Sequence, residues 1–184
     1  MTAGANTSPA ELERVWDLHT NSEFVTLDVD ATMATMTHNA QVLHVPTAMG
    51  ARGQQAVRDF YRRWFIGHNP PDFSPTTLTR TTGPNRIVDE MLVSFTHDTP
   101  VPWILPGVAP TGRRVTVAVL AVVSFDGALI ASEHIYWDQA AVLAQTGLVG
   151  PEAMAGLPVV TDQHATLTDG PLNRLAMTGE DKRR

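Results

Sequence analysis

Six consecutive residues, 133–138, bring two carboxylates, a histidine, a tyrosine and an indole together at the end of an apolar run. Successive side chains of a β-strand point to opposite faces of its sheet, which divides the segment into two sets. The sets are Glu133, Ile135 and Trp137 on one face, and His134, Tyr136 and Asp138 on the other. A carboxylate in an apolar pocket exchanges its proton near neutral pH, and so does an imidazole. The segment therefore predicts a cavity wall that carries acid–base groups.

Further candidate acid–base groups lie on a long apolar strand predicted from Arg86 to His97. His97 occupies the end of this strand, where a surface histidine is the structural alternative. Asp89 and Glu90 are adjacent, so they face opposite sides of the sheet, and either carboxylate is a candidate for the pocket side. Asp89 shares the more apolar face, while an ion pair with Arg80 or Arg86 is the structural alternative for both.

Asp138 also has a competing structural interpretation. It directly precedes the helix-like run that begins at Gln139, so its side chain could cap that helix. His44 and His134 match no metal-binding spacing, and the chain has no glycine-rich phosphate loop and no serine nucleophile elbow. We therefore expect no metal and no cofactor.

Several aromatic side chains are expected either to fill the core or to line an apolar substrate site. The candidates for substrate contact are His44, Phe95, Trp103, Tyr136 and Trp137.

The composition narrows the class of protein. The 184 residues are 43% hydrophobic and carry a formal charge of −6, so they offer no basic surface for nucleic acid. The absence of cysteine excludes disulfides, thiolate nucleophiles and cysteine-bound metals. The first nine residues lack the apolar core of a signal peptide, and no apolar run is long enough to span a bilayer. These features predict a cytoplasmic protein that does not bind membranes.

Hydrophobic periodicity predicts helices followed by a largely consecutive set of strands. The predicted helices are 9–21, 22–36, a third containing the apolar stripe Val57, Phe60, Tyr61, Trp64 and Phe65, and 139–148; the predicted strands are 40–45, 76–82, 86–97, 113–125 and 128–137. Segregated helices and a mainly antiparallel sheet indicate an α+β fold. We expect one domain over 1–150, and a partly irregular extension over 151–184 that is loose after Arg174.

Three local patterns resemble the NTF2-like superfamily, and within it the SnoaL-like polyketide cyclase group. They are the strand Val88–His97 that ends in Thr-His, the turn Pro110-Thr111-Gly112-Arg113, and Phe125-Asp126-Gly127 followed by Glu133-His134 and Trp137-Asp138. The resemblance implies a cone in which a curved sheet packs against N-terminal helices and encloses an apolar pocket, often in a homodimer. It would place His97 at the pocket mouth as a general acid or base. It favours both Glu133 and Asp138 as the carboxylate, because the inserted Ile135-Tyr136 leaves their equivalence open.

Three functions agree with these features. The first is a cofactor-independent enzyme, such as a cyclase or isomerase of secondary metabolism, that acts on a small apolar oxygenated molecule. In it Glu133, Asp138 or Glu90 would move a proton while His97 or His134 polarises an oxygen. The second is an epoxide or lactone hydrolase, which two carboxylates and an orienting arginine in the pocket would favour. The third is a non-catalytic ligand-binding or dimeric interaction module.

Overall fold

The computed structural model describes residues 7–168, together with 170 and 172. Its helices are α1 (Pro9–Phe24), α2 (Val29–Ala34), α3 (Gln54–Phe60), a π-helical turn (Tyr61–Phe65), α4 (Gln139–Gln145), α5 (Pro151–Met154) and α6 (Gln163–Leu167). Its strands are β1 (Met36–His44), β2 (Met49–Arg52), β3 (Ser74–Thr82), β4 (Arg86–Thr96), β5 (Arg114–Asp126) and β6 (Leu129–Trp137). This is the predicted α+β fold. The segment predicted to be loose, after Arg174, lies outside the described residues.

The six strands form one curved, mixed sheet in the order β2-β1-β6-β5-β4-β3. All neighbours are antiparallel except β1 and β6, which run parallel and pair Val42 with Glu133 and His44 with Ile135. Because paired residues share a face, Glu133 and His44 lie diagonally across adjacent strands on the same side of the sheet. This parallel pairing brings an early and a late segment of the chain to one inner wall.

Helix α1 packs one face against that wall. Ser8 caps its first turn by accepting a hydrogen bond from the Glu11 N–H. Pro9 occupies the first helical position, where a backbone N–H would have no acceptor within the helix, so its missing N–H costs nothing. The buried residues recur at helical spacing: Leu12, Val15, Trp16, His19, Ser22 and Glu23. The stripe that fixes the helix in the core therefore also carries a histidine and a glutamate into the interior.

The helix predicted over 22–36 is wrong, because α1 extends to Phe24 and a turn then separates it from α2. Leu27 has a φ of 53°, and the Asp28 side chain accepts hydrogen bonds from the N–H groups of Asp30 and Ala31, which starts a new helix. The short edge strand β2 is not among the predicted strands.

The helix that follows β2 widens into a π-helical turn. The N–H of Ile66 bonds to the carbonyl of Tyr61, five residues earlier. This extra residue per turn rotates the second half of the predicted stripe, so Tyr61 and Phe65 are buried while Trp64 is 46% exposed. The prediction of one continuous apolar face is wrong at Trp64, and the turn aims the Tyr61 hydroxyl inward.

Strand β5 is fully covered only on its inner face, although its almost continuous apolar sequence is typical of a strand buried on both faces. Burial alternates along the strand, and Leu120 on the outer face is 38% exposed beside its cross-strand partner Tyr136. Beyond the end of β6, glutamine side chains form hydrogen bonds with backbone groups of β5 that no neighbouring strand pairs. Gln145 bonds to both backbone groups of Thr116, and Gln163 of α6 accepts from the Ala118 N–H. The segment after residue 150 is thus docked at this edge through α6.

Within the described residues, no helix has the length and apolar character needed to cross a membrane.

Candidate functional site

The interior holds a cluster of three ionisable side chains from α1 and β6. His19 Nε2 lies 3.1 Å from Glu23 Oε1 and 3.1 Å from Glu133 Oε1. His19 is fully buried, and each glutamate is 3% exposed. Because helical residues four apart share a face, α1 supplies His19 and Glu23 together, and the inward parity of β6 supplies Glu133.

Hydrogen bonds around Thr35 fix the orientation of the His19 ring. The Thr35 hydroxyl donates to the Thr32 carbonyl at 2.7 Å, so it can only accept at its 2.6 Å contact with His19 Nδ1. Nδ1 therefore carries a proton, and Nε2 is the ring atom that faces the two carboxylates.

Tyr61 completes the cluster from the π-helical turn. Its hydroxyl lies 3.2 Å from His19 Nε2 and donates to Glu133 Oε1 at 3.2 Å. Glu133 thus interacts with an imidazole and a phenol at once, while Glu23 lies on the other side of the same imidazole. The four groups form a connected polar network inside an otherwise apolar interior.

The cluster shifts the pKa of each of three members. Burial disfavours the His19 cation, but attraction and hydrogen bonds from Glu133 and Glu23 outweigh it and raise the pKa of His19 to about 10. Burial raises the pKa of Glu23 against the opposing pull of His19. Burial, followed by the nearby carboxylates, also raises the pKa of Tyr61 far above its usual value. At neutral pH we therefore assign His19 as a cation and Tyr61 as a neutral hydroxyl.

Three cluster members, Glu23, Tyr61 and Glu133, border a largely apolar cavity that lies between α1 and the inner face of the sheet. About 520 Å³ of the space between its walls is unoccupied by atoms, and part of that space is open to solvent. The aromatic and aliphatic side chains of its wall include Trp16, Phe24, Val42, Phe65, Phe73, Met91 and Trp103. His19 lies behind this wall and reaches the cavity only through its partners.

His44 borders the same cavity but differs from His19 in its protonation state. Its ring packs among Phe60, Phe65 and Trp103, and burial lowers the pKa of His44 to about 4 despite the attraction of Glu133. His44 is therefore neutral near pH 7. Its Nδ1 atom has no hydrogen-bond partner among the described residues, which suits it to accept or donate a bond to a ligand.

An ion-pair clamp on the sheet fixes Trp16 against the cluster. Buried Asp89 accepts a 2.7 Å hydrogen bond from Trp16 Nε1 and two from Arg80, at 2.6 and 2.8 Å. Arg80 also pairs with Asp17 on α1 at 2.8 Å. The Trp16 ring stacks on His19 with centroids 5.5 Å apart. The ion pair foreseen for Asp89 is thus present, and it positions the indole that covers the histidine.

The structure brings three of the sequence-predicted site residues to the cavity: Glu133, His44 and Trp103. Trp137 and Phe95 lie behind it in the core, where Trp137 packs edge-on against Trp103 and Phe95 stacks on Phe73. Tyr136 lies on the outer face of the sheet and is 40% exposed, so its predicted place at a substrate pocket is wrong.

The four remaining acid–base candidates do not border the cavity, so the predicted partnership of Glu133 with His97 or His134 is wrong. His134 contacts Gln41 on the outer face, and Glu90 accepts a bond there from Thr79. His97 is buried at the strand end, where its Nδ1 accepts from the Thr111 N–H, and burial lowers the pKa of His97. Its place at a pocket mouth is wrong because the loop before β5 covers it.

Asp138, the fourth of these candidates, is the N-cap of α4. It accepts a bond from the Ala141 N–H and another from Gln163. The structural interpretation of this aspartate is therefore confirmed.

Sequence reasoning missed His19, Glu23 and Tyr61. The signal for the first two was their spacing of four on the buried stripe of α1, where a histidine and a glutamate among core residues require a partner. Tyr61 was identified only as an apolar stripe residue, because the π-helical turn that aims its hydroxyl has no simple sequence pattern.

The raised pKa of His19 predicts a loss of stability in alkali. The folded state keeps the His19 proton up to a pKa of about 10, whereas the unfolded chain releases it near 6.5. The stability from this proton is present below pH 6.5 and is lost as the pH rises from 6.5 to 10, at up to about 1.4 kcal/mol per pH unit. Urea unfolding at a series of pH values measures this slope. The double variant Glu23→Gln, Glu133→Gln should lack it, and an equal slope in both proteins would contradict the assignment.

Comparison with known proteins agrees with this architecture. A family model described as SnoaL-like domain matches residues 19–133, which is more than half of the chain. A search among curated protein sequences found no match.

Solved structures share the fold at low sequence identity. TsrD from Streptomyces laurentii is 19% identical with a TM-score of 0.61, over 77% of this chain and 98% of that one. A protein from Jannaschia sp. CCS1, assigned as a SnoaL-like polyketide cyclase, is 18% identical with a TM-score of 0.63, over 78% and 97%. A Catenulispora acidiphila protein with a ketosteroid isomerase-like fold, in complex with trimethylamine, is 14% identical with a TM-score of 0.55, over 72% and 92%.

Proposed function

Because the chain belongs to the SnoaL-like domain family, we propose that it is an acid–base enzyme of the cyclase or isomerase type. Its substrate is a small, apolar molecule that carries a carbonyl oxygen. The observation that carries the proposal is the pair of buried carboxylates, Glu23 and Glu133, on the wall of an apolar cavity with one cationic imidazole behind them. The cyclase-assigned and ketosteroid isomerase-like structures with the same fold support this reaction class.

In this mechanism Glu133 is the general base. A substrate in the cavity presents a C–H bond next to its carbonyl group, and Glu133 removes that proton. His19 compensates the charge of Glu133 in the ground state and holds the carboxylate in place. The proton then returns to another carbon in an isomerisation, or to the new hydroxyl oxygen when the carbanion closes a ring onto a second carbonyl.

Glu23 and Tyr61 are the groups that stabilise the developing oxyanion. A phenol can donate a hydrogen bond to an oxygen that gains charge in the transition state, and a carboxyl group can do so while it holds a proton. The raised pKa values of Glu23 and Tyr61 agree with this role. Neutral His44 borders the same cavity and offers a further contact for a second polar group of the substrate.

Hydrolysis of an epoxide or lactone is the second candidate. The two cavity carboxylates favour it, because one could activate a water molecule while the other protonates the leaving oxygen. No arginine is among the cavity-lining side chains in the described part of the chain, however, so the expected orienting cation is missing there. This makes proton transfer at carbon the better-supported reaction.

The experiment is deuterium exchange into a panel of small cyclic ketones and diketones in D2O. Quenching of Trp16 and Trp103 fluorescence reports which ketones enter the cavity, and NMR follows deuterium at the carbons next to the carbonyl. We expect saturable exchange for ketones that bind. Binding without exchange, in every case, would instead support the non-catalytic ligand-binding function. Incorporation of labelled water oxygen into epoxides or lactones would support the hydrolase.

A further inference from the structure

The atoms of the His19–Glu23–Glu133 cluster are spaced like ligands of one metal ion. Ligands at about 2.0–2.2 Å from a small divalent cation stand about 3.0 Å apart at right angles and about 3.4 Å apart in a tetrahedron. His19 Nε2 lies 3.1 Å from one oxygen of each glutamate, between those two values. The three candidate atoms all lie within 4.8 Å of one another, and the Tyr61 oxygen is 3.2 Å from His19 Nε2.

The histidine is already oriented for coordination. A metal-bound imidazole uses one ring nitrogen for the ion and donates the other N–H to a fixed acceptor. Thr35 is that acceptor for Nδ1, at 2.6 Å, which leaves Nε2 facing the two carboxylates. Thr35 itself is anchored to the Thr32 carbonyl, so the acceptor does not depend on the cluster for its position.

The charges of the cluster also fit a dication. Two buried carboxylates share one imidazole, so full ionisation of all three groups leaves one uncompensated negative charge in an apolar interior. A divalent cation with a neutral imidazole and two carboxylates has no net charge. A bound dication would therefore balance the two carboxylates without a cationic imidazole.

The cavity provides an open coordination position. Glu23, Glu133 and Tyr61 line it, so an ion between the carboxylates would face the cavity and keep a water molecule on that side. His44 borders the same space, is 2% exposed and has an Nδ1 atom without a partner among the described side chains.

We propose that His19, Glu23 and Glu133 bind one first-row divalent transition-metal ion, with Zn²⁺ as the representative. An imidazole ligand and a set of only three or four protein atoms favour such an ion over Mg²⁺ or Ca²⁺, which prefer oxygen ligands alone. The site goes beyond the proposed function. A metal bond to Glu133 lowers the basicity of its carboxylate and weakens it as a proton acceptor, so the ion inhibits the metal-free reaction.

The test uses the full chain without an affinity tag, freed of metal by a chelator. Calorimetric titration with Zn²⁺ is expected to show one ion per chain, with an affinity that rises with pH as protons are displaced. The visible spectrum after titration with Co²⁺ should show the intense bands of a four- or five-coordinate ion. Mg²⁺ is expected to give no heat of binding at the same concentration.

Matched variants locate the ion. His19→Gln, Glu23→Gln and Glu133→Gln should each weaken Zn²⁺ binding more than about 100-fold, and Thr35→Val about 10- to 100-fold. His134→Gln, next to Glu133 but on the outer face of β6, should bind as the wild type does. The Thr35→Val result keeps the test decisive if a cluster variant fails to fold.

Absence of stoichiometric Zn²⁺ binding would overturn the inference, and so would binding that every cluster variant retains. Deuterium exchange by the metal-free protein tests the proposed function separately. Loss of exchange on adding one equivalent of Zn²⁺, with recovery in excess chelator, is the expected activity result. Exchange that continues with the site filled would overturn the inhibitory role.

Discussion

Glu133→Gln is expected to lower the exchange rate on a bound ketone by roughly 100- to 10,000-fold, the usual contribution of a positioned general base. Glutamine keeps the size of the side chain and can still accept the Tyr61 hydrogen bond, but it cannot take a proton from carbon. The substitution leaves one carboxylate, that of Glu23, beside the single imidazole of His19, so the imidazole keeps a partner. We therefore expect no large loss of folding stability. Single-turnover exchange with saturating ketone in D2O, followed by NMR, measures the change in rate constant without the contribution of substrate affinity.

Two matched variants separate this effect from nearby structural damage. His134→Gln changes the adjacent residue of β6, whose side chain contacts Gln41 on the outer face, and should leave the rate unchanged. Asp138→Ala removes the α4 cap and should cost about 1 kcal/mol of stability with the rate retained. A Glu133→Gln protein that exchanges within a factor of about three of the wild type would refute the assignment of the base.

Strand parity explains why Glu133 could be found from the sequence. Alternation along 133–138 needs no knowledge of the rest of the fold, and it correctly separated Glu133 and Trp137 from His134 and Tyr136. The order of elements and the three local patterns were likewise sufficient for the α+β class. Local rules such as these depend only on near neighbours in the chain.

The partners of Glu133 are determined by contacts between segments that are distant in sequence, which local rules do not predict. His19 lies 114 residues away in sequence, and it meets Glu133 only because α1 packs across the inner face while β1 pairs parallel to β6. His97 and His134 were nearer in sequence or strand order and therefore took the role of partner in the prediction. Parity along one strand cannot reveal which helix crosses it.

The burial pattern of α1, in contrast, itself indicates a polar partner for the helix. A histidine and a glutamate four residues apart on a stripe shared with Leu12 and Trp16 cannot both be buried without compensation. Their presence predicts a further polar group on whatever surface the helix covers. The Asp89–Arg80 pair, which holds Trp16 over His19, extends the same network to β3 and β4.

The second large effect is expected from His19→Leu, which should lower the free energy of unfolding at pH 7 by about 3–5 kcal/mol, as breaking one side of a buried ion pair does. Leucine approximates the volume of the ring but leaves Glu23 and Glu133, each 3% exposed, without a compensating cation. The cost should decrease in acid, because protonation of the two glutamates then relieves it. Urea unfolding at pH 5 and pH 7 measures both values.

A double-variant comparison identifies the physical cause of that loss. Adding Glu23→Gln to His19→Leu removes one of the two acidic groups that are left without a cationic partner, so the double variant should be more stable than His19→Leu alone, a coupling that independent sites would not show. His38→Leu is the matched control, because His38 is an exposed histidine and its replacement should change stability by no more than about 0.5 kcal/mol. If His19→Leu were as stable as this control, the cluster would not hold an ion pair, and Glu133 would have no cation to keep it in place as the base.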